Sequence, residues 1–204
     1  MRWLGSLFYR QKHQNPAIDA LYRKVKTADS RTEEFISLLP KLAAAMEEGR
    51  DYLYRKVLEA QIIDFDEHYG SHVFEKINDT KKTALLNKLT GFMLISYFNE
   101  LSELYPDTEL PSSLTDALHF EIYGALPSKD SFAAYLTYKN PNFDDASMAP
   151  AFKFGNDVAD ILETYELSFP LMISQQSPLI RQISKKIIRL VLFDEPIEAG
   201  PKIQ

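Results

Sequence analysis

Two of the chain's four histidines, His68 and His72, stand four residues apart in the run Asp64-Phe65-Asp66-Glu67-His68-Tyr69-Gly70-Ser71-His72. Neutral imidazole beside carboxylate is ligand chemistry for zinc, iron or manganese. Four residues is about one helical turn, so a regular helix would stack both rings on one side. On such a helix Asp64, His68, His72 and Glu75 fall within an arc of about 80°. Asp116-x-x-His119 offers further ligands from a second helix, and Glu67 is a candidate general base. The alternative is a polar helix face, in which acids one turn from histidines stabilise the helix and His68 simply pairs with Asp64. Neither His-Glu-x-x-His nor Glu-x-x-His is present, so neither the zinc-protease helix nor the di-iron bundle is indicated.

Two further groups carry charge in a pattern. Trp3, Leu4, Leu7 and Phe8 with Arg2, Arg10 and Lys12 have the make-up of an interfacial helix, apolar on one side and basic on the other. They suit docking to an anionic membrane or a protein partner, or packing on the chain's own core. Near the other end, Arg181, Lys185 and Arg189 line up four apart beside the apolar Leu179, Ile180, Ile183, Ile187, Leu190 and Val191. That basic stripe suits an acidic partner or phosphates. It equally suits the solvated side of a core helix with cations near its C-terminal dipole.

Other chemistry is absent from the sequence. There is no cysteine, hence no disulfide and no thiolate. No phosphate-binding loop, dinucleotide fingerprint or nucleophile elbow occurs. The run from Asn140 to Asp145 begins like a calcium loop, but Asp145 stands where glycine is needed and Ala151 where glutamate is needed. The net charge of −6 disfavours nucleic acid. Residues 1–26 carry about +5 and the remainder about −11, a basic arm on an acidic body.

The elements that must position these groups read as helices. Ser30 and Glu33 match a capping box, with a kink or restart at Pro40 and a stop at Gly49. Leu58, Ile62, Phe65, Tyr69, Val73 and Ile77 predict one helix across residues 50–78, passing through Gly70. Asp79 or Thr80 should cap the next helix, whose apolar residues from Leu85 to Leu104 wrap most of its circumference. Further starts are expected at Ser112 or Ser113, at Ser128, near Pro150 and at Ser177-Pro178. No alternation is long enough for a sheet. With 204 residues and 45% apolar content, the expectation is an all-α single domain over residues 1–193. About eight helices would pack around residues 80–104, followed by a tail over 194–204.

The function these observations favour is a non-enzymatic intracellular interaction protein of adaptor, chaperone or inhibitor type, binding a protein partner and no cofactor. The alternative is a metal-dependent helical enzyme using His68, His72, Asp64, Glu75 and His119. A weaker one is a peripheral membrane protein docked through residues 1–13. The expected location is the cytoplasm, since no apolar run approaches the roughly 20 residues of a membrane span and no cleavable leader pattern is present.

Overall fold

A computed structural model describes residues 16–17, 30–106, 109–126 and 149–194. The described elements are all helical, with no strand. In chain order they are α1 (Ser30–Leu53), α2 (Glu59–Tyr69), α3 (Asp79–Leu104), α4 (Leu110–Tyr123), α5 (Ala149–Leu162), α6 (Ser168–Ser174) and α7 (Ser177–Phe193). A π-helical turn, Tyr54–Leu58, joins α1 to α2, and a 3-10 turn, Phe74–Lys76, precedes α3. The expected start at Ser128 lies outside the described residues.

Helix α1 runs unbroken through both predicted interruptions. Pro40 faces solvent, so its ring needs no room in the core, and the helix continues past the one hydrogen bond that proline cannot donate. Gly49 is not a stop but a point of close approach, where a Cβ would overlap Ile187 Cδ1 of α7. Buried Phe35, Ile36, Leu39, Leu42, Ala43 and Met46 follow the helical period and form the inner face.

Helix α3 packs against α1, α4, α5 and α7. Leu85, Leu89, Phe92, Met93, Leu94, Tyr97 and Leu101 are all buried, so it is covered on most sides. Its cap is Asn78, one residue before the expected pair, whose Oδ1 accepts from Lys81 N at 2.9 Å. Helix α4 begins at Leu110, before the expected serines, because Pro111 fits the first turn.

Ion pairs from α3 fix its neighbours. Lys88 Nζ meets Asp157 Oδ2 of α5 at 3.0 Å, and Lys153 Nζ closes on the other oxygen at 2.6 Å. Lys81 Nζ reaches Glu163 at 3.1 Å, just beyond α5. Buried Glu100 takes Lys185 at 2.6 Å and Arg189 at 3.1 Å, both from α7. Two nearly buried carboxylates thus each hold two cations. Removing one partner of such a group is costly because the remaining charge stays desolvated.

Candidate functional site

The helix expected to run through Gly70 ends there instead. Gly70 adopts a left-handed conformation (φ 63°), and its N–H donates to Asp66 O at 2.7 Å. This is the glycine-closed helix end, and the chain has left the helical path before His72. The stacking of His68 over His72 is therefore not formed. His72 itself has φ 56° and is exposed, its Nδ1 3.1 Å from Glu75 Oε1. His68 is exposed against the ring of Tyr69, and Asp64 is exposed too.

The chemistry of this segment belongs to Asp66. Its Oδ1 accepts from Ser71 Oγ (2.6 Å) and Val73 N (2.7 Å), and Oδ2 accepts from Phe74 N (2.7 Å). One carboxylate thereby satisfies the free N–H groups that open the 3-10 turn. Burial works against the charged form, but the donors of Ser71, Phe74 and Val73, with nearby His72, outweigh it. The Asp66 pKa lies below the ordinary carboxylate value. Buried Val73, from the predicted stripe, still reaches the core, delivered by this turn.

His119 lies elsewhere. It is buried in α4, with Nδ1 donating to Ala125 O at 2.8 Å and its ring 4.6 Å from that of Tyr123. Burial lowers its pKa against the opposing effect of the Ala125 bond, which keeps the imidazole neutral near pH 7. Among the described residues no three histidine, aspartate or glutamate side chains are grouped to hold a metal ion. The structure brings His72 to Glu75, and it does not assemble His68, Asp64 and His119 with them.

The basic stripe of α7 turns onto the molecule. Lys185 and Arg189 hold Glu100, and the Arg181 guanidinium lies 5.5 Å above the Phe92 ring. It is neither a purely solvated face nor a free phosphate site, although Lys185 and Arg189 remain partly exposed. Arg2, Trp3, Leu4, Leu7, Phe8, Arg10 and Lys12 lie outside the described residues. No helix among the described residues is long and apolar enough to cross a membrane.

What the sequence does not reveal is the turn between α5 and α6. Glu163 closes α5 in a left-handed conformation (φ 53°). Its N–H donates to Asp160 O at 3.2 Å, and Thr164 N donates to Ala159 O at 3.0 Å. This double bond pattern is a Schellman end built without glycine. A non-glycine residue is rarely held there, and such positions favour functional surfaces. The following residues project outward: Tyr165 is 87% exposed and Leu167 82%, with Leu171 exposed on α6. Phe169 between them is fully buried, its ring edge-on to Phe65 of α2 with centroids 5.0 Å apart.

Three contacts bring this turn and the His72 loop to one end of the bundle. They are Phe65 with Phe169, Gln176 Nε2 donating to Gln61 Oε1 at 3.2 Å, and Lys81 with Glu163. Exposed Tyr69 and Phe74 belong to the same end. Residues 59–78 and 160–171 together hold eight acidic residues against one lysine, so the apolar groups sit in a negative field. Asp64, Glu67, Asp160 and Glu166 are exposed and carry no ion pair among the described residues. The alternation Tyr165, Leu167, Phe169, Leu171 is the only sequence signal, and it does not say which members face water.

Comparison with family models, with curated proteins and with solved structures finds no match.

Proposed function

We propose that the chain is a non-enzymatic interaction protein that binds a protein partner through the end of the bundle formed by residues 59–78 and 160–171. The observation that carries this reading is the exposure of Tyr165 and Leu167 on a turn fixed by hydrogen bonds and by buried Phe169. A single exposed leucine is ordinary, but several large apolar side chains held rigidly at one end favour association. Preformed geometry also reduces the ordering cost of binding. The reading takes the protein as a cytoplasmic bundle of about eight helices organised around residues 80–104. Its acidic surface is unsuited to nucleic acid.

The test is affinity capture from native lysate with the full chain and with a double variant, Leu167→Asp and Leu171→Asp. Both substitutions are at exposed positions, so thermal stability should match within about 0.5–1 kcal/mol. The reading predicts a stoichiometric partner that the variant loses. Capture of no such partner, or equal capture by both proteins, overturns it.

A further inference from the structure

We infer that the partner segment is a basic amphipathic helix from another polypeptide, seated on Leu167, Leu171 and Tyr165 with its cations toward Asp64 and Glu166. The inference rests on the docking surface proposed above and names the chemistry of its occupant. Two independent features select that chemistry. The exposed apolar groups require an apolar stripe opposite them, and Leu167 and Leu171 are spaced to meet anchors three or four residues apart. Asp64, next to the Phe65 that packs on Phe169, and Glu166, next to Leu167, are exposed and without ion pairs among the described residues, so they gain by meeting cations and lose by meeting acids. An acidic or neutral helix satisfies the first condition alone. A basic, non-amphipathic segment satisfies only the second. The fixed turn, with Glu163 locked to Lys81 at 3.1 Å, presents both features without rearrangement.

The probe is a dye-labelled helical peptide of leucine and lysine about four turns long, with a leucine–glutamate peptide as control. Each is titrated by fluorescence anisotropy into the full chain. The lysine peptide is expected to bind one to one and to weaken at least about tenfold between roughly 50 and 500 mM salt. It should weaken by a similar factor in the Leu167→Asp, Leu171→Asp variant, and also in Asp64→Lys with Glu166→Lys, which leaves the apolar groups intact. Equal binding of the glutamate peptide overturns the inference, as does lysine-peptide binding that neither double variant changes. The chain has one tryptophan, Trp3. A shift of its emission to longer wavelength on adding the lysine peptide would show the chain's own basic arm leaving the surface, and would overturn the assignment to another polypeptide. If the lysine peptide fails while the leucine variants still lose their partner from lysate, the docking surface stands and its occupant is not basic.

Discussion

At the scale of single residues, the carboxylate that matters in the 64–75 cluster is Asp66 rather than a ligand beside histidine. Its three accepted hydrogen bonds hold the turn that delivers Val73 to the core. Asp66→Ala should cost about 1–2 kcal/mol, as for loss of a charged cap. The pH dependence follows from two depressed pKa values. Asp66 is more acidic folded than its ordinary 3.8, so its contribution is intact above that value and lost as pH falls through the lower folded one. His119 is likewise depressed from 6.5. The unfolded chain therefore takes up a proton there first, and stability declines as pH drops below about 6.5 toward the folded value. Urea melts at pH 7.5, 5.5 and 3.5 should show both losses, with the first absent in His119→Gln and the second reduced in Asp66→Asn. A flat profile would contradict these assignments. The sequence shows which side chains can titrate. It does not show that Asp66 gathers three donors, because those donors arise only after Gly70 turns the chain.

At the scale of elements, helix type and most helix bodies are legible because buried positions follow the helical period, as in α1 and α3. Ends and breaks are less legible, for physical reasons that differ by site. Pro40 and Gly49 read as breakers, yet one faces water and the other admits α7. Gly70 reads as interior because the apolar stripe continues past it, but Val73 reaches the core from a turn and not from a helix. The end of α5 has no glycine to announce it, since Glu163 takes the left-handed position itself. Close packing of α5 on α6 rests on Gly155, where a Cβ would run into the carbonyl group of Pro170. Backbone cannot yield as a side-chain tip can, so Gly155→Ala should destabilise by about 2–3 kcal/mol. At Gly49 the obstacle is the flexible end of Ile187, and the helix propensity of alanine offsets it. Gly49→Ala should therefore stay within about 1 kcal/mol of the parent. Chemical denaturation of both variants checks the contrast, and equal losses would contradict it.

At the scale of the whole molecule, much of the positive charge among the described residues is engaged in particular contacts. Arg181, Lys185 and Arg189 of α7 are engaged with Phe92 and Glu100, and the lysines at 81, 88 and 153 hold Glu163 and Asp157. Among the outward groups is an acidic, apolar end at residues 59–78 and 160–171. The sequence drew attention to half of that end through its histidines and concealed the other half, because Tyr165 and Leu167 read like any apolar pair. A partner engaging this end should be detected by position. The most direct measurement places a photoreactive phenylalanine analogue at residue 167 in the full chain, expressed in its native host, and a second at exposed Leu104, at the opposite end of α3. The account predicts a discrete crosslinked protein from residue 167 that is absent from residue 104. No adduct from residue 167, or the same adducts from both positions, would contradict it.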